Sequence, residues 1–592
     1  MRPVRNRWPT SDIARNVKFA AQTFREALSL ETFESFRVAT LDAPTMLREI
    51  IHLAMEIARS KVPLKTLYPC LNELQITVER DPTASKVVRE EMALFASRFP
   101  VSNVSEKSLK DLRALALMMA RKLAREYREA LAVEMCEEMK APRNHEKIRK
   151  NVNAFCSHLI NSGYSRQHIL EKVDESFLSR PIKKVESRTT ARFLSKFDGK
   201  QRTFIIYLPV NRAFYDYASK LGFEEMETFE FRQLPIDARK ALLSSSPSLA
   251  SSGYIRVMME AKDEYAALKA AQDFVYSLVA ITYMNKRGIE FTGLEMGFVK
   301  VKKGRLGRLL KLEPFLFQRV SKTVTSGTLR QLEGQTEQIF TQFSDQSTHR
   351  LISSINMAAL ARSTSRPENQ LVSLWSAVEV LLGDPPEKTS RIEFYTRSLT
   401  PCIILKYVRR YIMAIVDELR LSYPRQVRTF FRNPQFDQSL DQYTKLSLLV
   451  FEPSFEPLRR PFCSTFVDNP AVLSRLWKLE QNFSTPKAFL ASLEQYETRV
   501  RWLLYRIYRT RNAIVHNGIV PSYMTPLVMN AFEYYRGSIG PILGRASLNP
   551  NPSAIDQIIA ELGFEVDMLK RELRQLRGNP TFTDEQIRRF HR

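Results

Sequence analysis

Residues 108–140, SLKDLRALALMMARKLAREYREALAVEMCEEMK, contain neither glycine nor proline. The stretch is long enough for about nine turns of α-helix. It is rich in Ala, Leu, Met, Arg and Glu, the residues that lose least freedom on entering a helix. A strand or loop of a compact domain does not reach this length with this composition, so the segment commits its part of the chain to helix. The flanking segments carry the same signal. TMLREIIHLAMEIARS (45–60) brings Leu47, Ile50, Ile51, Met55 and Ile57 to one side, and HEKIRKNVNAFCSHLINSGYS (145–165) closes on Gly163, a natural C-terminal cap. Residues 1–180 are expected to form a helical regulatory or scaffold domain without internal repeats.

At 592 residues the chain is too long for one core, and about two to four domains are expected. Apolar residues make up 44% and charged residues 26%, ordinary for a globular protein, but the net charge is +25. Such self-repulsion does not stabilise a compact state, so it points to a polyanionic partner. Nucleic acid comes first, an anionic membrane surface second, and a generally basic soluble protein is the plain alternative. The five cysteines are scattered without metal-ligand spacing, which suits reduced thiols in the cytoplasm and leaves no metal site to expect. No apolar stretch follows the basic start MRPVRNRWPTSD, so no signal peptide is expected. The longest apolar run, FVYSLVAITYM (274–284), is too short to span a bilayer.

The pattern changes near residue 181. RPIKKVESRTTARFLSKFDGKQRTFIIYLPV (180–210) holds β-type runs around a DGK turn, and TFIIYLPV is a buried-strand candidate. GYIRVMMEA (253–261) reads as a strand leading into a helix over 263–285 with Asp263 near its start, and LEMGFVKVKKGRL (294–306) returns to strand-like alternation. Residues 181–345 are therefore expected to be a mixed α/β module. Within it, KVKKGRLGRLLK (300–311) carries Lys300, Lys302, Lys303, Arg305, Arg308 and Lys311 with no acid. This is either a hairpin that tracks phosphates or a solvated basic loop.

From 346 to 592 the chain is helical again, giving a mainly α fold. PENQLVSLWSAVEVLLG (367–383) buries Leu371, Leu374, Trp375, Val378, Leu381 and Leu382 and stops at Gly383. Further helices are expected over 401–421, 472–483, 487–516, 524–543 and 553–577. Residues 423–468, richer in Pro, Phe and polar residues, read as a long connection or insertion, and the last residues as a fraying tail. Trp8, Trp375, Trp477 and Trp502 are taken as packing residues. His145, His158 and His168 are taken as surface or satisfied groups.

One stretch carries chemistry: RTRNAIVHNG (509–518). On a helix Asn512 and His516 are i and i+4 and share a face, and Arg511 sits one position round with a side chain long enough to reach it. Gly518 ends the helix, so the trio lies in an open last turn. Ile514 and Val515 are expected to continue the apolar side. Histidine suits proton transfer near neutral pH, and arginine keeps a planar positive charge that matches phosphate oxygens. RNA supplies its own nucleophile, the 2′-OH, so the set suits RNA cleavage without metal or cofactor. One Arg and one His are few for this reaction, which favours two copies facing each other in a dimer. The plain alternative for His516 is a histidine favoured by the C-terminal end of a helix dipole.

RNAIVHNG resembles the Arg-x4-6-His motif of the HEPN superfamily, in the form found in its Apea-like branch. LWSAVEVLLG (374–383) is similar to the early helix of that branch. The resemblance covers roughly residues 346–592 and implies a C-terminal HEPN-type helical bundle that forms a homodimer or higher homo-oligomer, with 423–468 as an insertion. It also implies a metal-independent endoribonuclease with Arg511 and His516 as the catalytic pair, Asn512 as the polar residue beside the arginine, and Glu379 as a supporting acid. Lys300, Lys302, Lys303, Arg305, Arg308, Lys311, Arg506 and Arg509 are candidates for holding RNA. The setting implied is anti-phage abortive infection: a toxin-like effector that cuts tRNA or mRNA under the control of a partner protein or a phage-derived trigger. The alternatives are a non-catalytic RNA-binding or assembly subunit of a defence complex and a structural dimer.

Overall fold

The structure, a computed structural model, describes residues 8–9, 11–30, 32–59, 62–100, 104–141, 144–178, 185, 187–221, 226–245, 253–284, 288, 296–304, 306–314, 326–578 and 582. It is mainly helical, with one five-stranded antiparallel sheet in the middle of the chain. Two compact units form. The first combines residues 1–154, 181–187 and 315–592, and the second combines 155–180 and 188–314.

In the first unit, the helix Leu109–Glu138 buries Leu112, Leu115, Ala116, Met119, Leu123, Tyr127, Leu131 and Met135, the three- and four-residue spacing of one helical face. Asp42 caps the helix Ala43–Ala58 by accepting from Thr45 N–H, with Pro44 in the first turn where no donor is missed. The C-terminal helices enclose one large apolar core around Leu374, Trp375, Leu399, Ile412, Leu479, Leu504, Leu527 and Ile558. Phe36, from the N-terminal part, belongs to that core.

The first 154 residues therefore do not stand apart from the C-terminal bundle, as the segments 1–180 and 346–592 suggested. Buried polar contacts join them. Gln22 Nε2 donates to Asn469 Oδ1 at 3.0 Å, Arg475 Nε donates to Glu26 Oε1 at 2.7 Å, and Arg37 pairs with Glu533. Contacts between residues more than 400 positions apart leave no local pattern to read.

Two further expectations change. Residues 401–421 are not one helix: Arg391–Leu405 contains Pro401, which has no N–H to donate, and Tyr407–Ser422 follows after a break at Lys406. Residues 423–468 are not a loose connection but hold the helices Pro424–Phe430, Gln442–Phe451 and Glu456–Ser464. Pro424 and Pro457 sit in first turns, Pro461 lies inside the helix Glu456–Ser464, and Phe431, Phe436, Phe462 and Phe466 form an aromatic cluster that continues the core.

In the second unit the strands β1 (Arg202–Val210), β2 (Met226–Phe229), β3 (Gly253–Ala261), β4 (Met296–Val301) and β5 (Gly307–Lys311) lie in the order β2-β3-β1-β4-β5. Alternation along β1 sends Phe204, Ile206 and Leu208 to one face, covered by the helices Arg212–Leu221 and Glu264–Thr282. Tyr207 on the other face meets Leu234, Ala238 and Leu242, the last two from the helix Ile236–Ser245. Asp263 caps the helix Glu264–Thr282 through Ala266 N–H at 2.9 Å and also accepts from Ser165 N–H at 2.6 Å and Ser165 Oγ at 2.8 Å. The first β-type run of 180–210 is instead the helix Ser187–Leu194, turned inward by Phe193 against Phe177 and Phe197. Among the described residues, no helix is long and apolar enough to cross a membrane.

Candidate functional site

The candidate site lies at the end of the helix Pro486–Asn517. Thr485 caps its start, with Pro486 in the first turn. It stops at Gly518, φ 64°, where Gly518 N–H donates to Ile514 O at 3.0 Å and Ile519 N–H to Ala513 O at 3.2 Å. This pair of bonds satisfies the last carbonyls and needs a residue that accepts positive φ. Leu493, Val500, Leu504 and Ile507 anchor the helix in the core, and Thr510 is the last residue it buries. Arg511 to Ile514 are half-buried, and Val515, His516 and Asn517 are exposed. Val515 therefore does not continue the apolar face, because the helix has left the core by then.

Arg511 is held from two sides. Its Nη1 donates to Asn512 Oδ1 at 3.0 Å, and its Nη2 donates to Glu379 Oε2 at 3.1 Å. Glu379 comes from the helix Pro367–Leu382, and its Oε1 accepts from Trp375 Nε1 at 3.0 Å. Trp375 and Glu379 are i and i+4, so one helical face supplies both the carboxylate and the indole that orients it. Tyr395 and Tyr508 pack on Trp375 with ring centroids at 5.9 and 5.6 Å. Burial, and then the charge of Glu379, push the Tyr395 phenol above its ordinary range. A guanidinium has five N–H donors, so these two bonds leave others for a ligand. Arg511 Nε is buried without a hydrogen-bond partner. His516 is one turn beyond Asn512, and its exposed ring has no partner among the described residues.

The structure thus brings Arg511, Asn512 and Glu379 into contact and leaves His516 open on the same turn. It does not treat the other sequence candidates as one group. Arg506 and Arg509 are not available to RNA. Arg506 is 1% exposed, with Nε 3.1 Å from Glu49 Oε2 and Nη2 2.5 Å from Glu73 Oε2, and Arg509 Nη2 lies 2.6 Å from Glu49 Oε1. Burial opposes charge on both arginines; Glu49 and Glu73 reverse the effect at Arg506, and Glu49 acts against it at Arg509, so both stay protonated.

The basic run of 300–311 does form a hairpin, β4 and β5. Lys302 and Lys303 are exposed at its turn, Lys300 is half-buried, and Lys311 stands exposed at the opposite end, across from Met296. Arg308 pairs with Glu171 through both terminal nitrogens, which removes it from phosphate tracking. Arg305 lies outside the described residues, as does nearly all of the tail after 578. Trp477 is 51% exposed, unlike the buried Trp375, and so is not a core residue. His168 has a carboxylate neighbour, with Nδ1 3.2 Å from Glu264 Oε2, and His145 stacks on Phe19.

Sequence reasoning missed Trp375 and Tyr508 as the support of the site, although the i, i+4 spacing of Trp375 and Glu379 was a usable signal. Glu49 and Glu73 had none. Comparison with protein-family models, curated proteins and solved structures returned no match.

Proposed function

We propose that this protein is an endoribonuclease of the HEPN type, which cuts tRNA or mRNA by attack of the RNA's own 2′-OH and requires no metal. The observation that supports this most is the contact of Arg511 with Asn512 and Glu379 on the open last turn that also carries His516. In the proposed reaction the 2′-oxygen bonds to the adjacent phosphorus and the bond to the 5′-oxygen breaks. The proton leaving the 2′-OH passes to an imidazole, and the departing 5′-oxygen takes one up. The products are a 2′,3′-cyclic phosphate and a 5′-hydroxyl.

Arg511 would neutralise the extra charge of the crowded phosphorus, where a fixed donor costs no reorganisation. Glu379 and Asn512 would hold the guanidinium plane. His516 would carry the proton, and a homodimer would supply a second imidazole so that one acts as base and the other as acid. The biological setting we propose is anti-phage abortive infection in the cytoplasm, with activity restrained until a partner protein or a phage-derived trigger releases it.

The test compares wild type with Arg511→Ala and His516→Ala on total tRNA and mRNA from induced cells, with and without phage, in the presence of EDTA. Cleavage by wild type alone supports the reading. Equal patterns from all three folded proteins would remove it and leave a non-catalytic RNA-binding or assembly subunit.

A further inference from the structure

From Leu419 to Phe436 the chain reads LRLSYPRQVRTFFRNPQF, with four arginines, no lysine and no acid. The helix Pro424–Phe430 sits in this stretch and is firmly seated. Val427 and Phe431 are buried, Phe430 packs on Phe462 at 4.6 Å, Phe431 on Phe436 at 5.5 Å, and the Lys445 ammonium donates to Phe431 O at 3.2 Å. Phe431 keeps right-handed helical dihedrals, and Arg432 N–H still bonds back to Thr429 O at 3.3 Å. Arg425 and Arg428 on the helix and Arg432 in the turn that follows it are therefore spaced i, i+3, i+7, and all three are exposed.

None of these three side chains has a hydrogen-bond or ion-pair partner among the described residues. That sets them apart from Arg308, Arg475, Arg506 and Arg509, each engaged by a carboxylate. The fourth, Arg420, shares Tyr443 with Asp417.

We infer that Arg425, Arg428 and Arg432 form a docking stripe for the phosphate backbone of single-stranded RNA. Seven residues of helix cover about 10 Å. A stacked strand places a phosphate about every 3.4 Å of its axis, so the stripe faces about three of them. The planar guanidinium fork grips two oxygens of a phosphate or of a carboxylate and stays charged at any working pH, so the choice of phosphate rests on the chain's net charge of +25 and on the match to phosphate spacing. Seating the helix on an aromatic core fixes the stripe, so little backbone order is lost on binding. The inference extends the ribonuclease reading to how the substrate is held, and rests on it for the choice of RNA as the polyanion.

The test measures binding of the full-length protein to a fluorescent 2′-O-methyl RNA, which has no 2′-OH to attack, across a range of KCl concentrations. Each phosphate contact to a single strand contributes about 0.7 to the slope of log affinity against log salt. The triple variant Arg425→Ala, Arg428→Ala, Arg432→Ala should therefore bind with a slope shallower by about 2. The corresponding triple lysine variant should keep most of the wild-type slope. Removing three exposed cations elsewhere, with Lys107→Ala, Lys110→Ala and Arg113→Ala, should leave it nearly unchanged. The inference is overturned if the alanine variant keeps the full slope, if the control loses as much, or if the stripe is needed equally for a polyglutamate peptide or an anionic vesicle. No cleavage enters the measurement, so an inactive nuclease and an absent docking stripe give different results.

Discussion

Glu49→Gln removes one charge from an ionic cluster on the helix that carries the candidate site. The Glu49 side chain is 12% exposed. Burial alone would raise its pKa, but Arg506 and Arg509 outweigh burial and bring it down to about 2 from an ordinary 4.5. A shift of that size is worth about 3 kcal/mol at neutral pH. Breaking a buried pair by removing one partner costs about 3–5 kcal/mol, which agrees.

The sign follows from the direction. A carboxylate whose pKa is depressed on folding contributes its full stability above about pH 4.5 and loses it as pH falls toward 2. The penalty of Glu49→Gln should thus be constant from pH 7 to about 4.5 and fade below. Glu73 in the same cluster behaves oppositely: burial raises its pKa, and Arg506 offsets that only in part. Glu73→Gln should cost distinctly less. The assay is urea unfolding followed by tryptophan fluorescence, which reports on the first unit because Trp8, Trp375, Trp477 and Trp502 all lie there. A penalty under about 1 kcal/mol for Glu49→Gln, or equal penalties for the two glutamines, would refute the account of this cluster.

Other substitutions test other links. Gly518→Ala should cost about 1 kcal/mol by urea unfolding, and Gly518→Asn less, because φ is 64° while nothing lies within 4 Å of the added Cβ, so backbone strain is the only penalty. Glu379→Gln keeps an acceptor for Trp375 but not the charge beside Arg511. It should leave the urea midpoint nearly unchanged and slow RNA cleavage about tenfold, and an unaltered rate would remove Glu379 from the site. A thiol reagent should label the half-buried Cys136 and Cys463 in the folded protein and spare Cys70 and Cys402, whose thiols burial pushes up to about 12. Rapid labelling of Cys70 would show that the helices around Glu49 open readily.

Helical periodicity carried most of the fold, and for a physical reason. Helices such as Leu109–Glu138 and Pro367–Leu382 bury one stripe, so their pattern is local and legible. β3 and the helix after it were legible from alternation and from Asp263 as a cap. The helices within 423–468 were not, because prolines that break a helix interior look the same in sequence as prolines that begin a helix. At the site, Arg511, Asn512 and His516 could be grouped because a single turn holds them. Arg506 and Arg509 were misassigned for the converse reason. Their partners, Glu49 and Glu73, come from more than 400 residues away, and an arginine does not show in sequence whether it faces water or a buried carboxylate.

End-group analysis of the cleaved RNA tests the central claim most directly. RNA cut in EDTA by wild-type protein should carry 2′,3′-cyclic phosphate and 5′-hydroxyl ends, and His516→Ala protein of equal fold should produce none of them. Ends bearing 3′-hydroxyl and 5′-phosphate, or the same cyclic ends from His516→Ala, would contradict it.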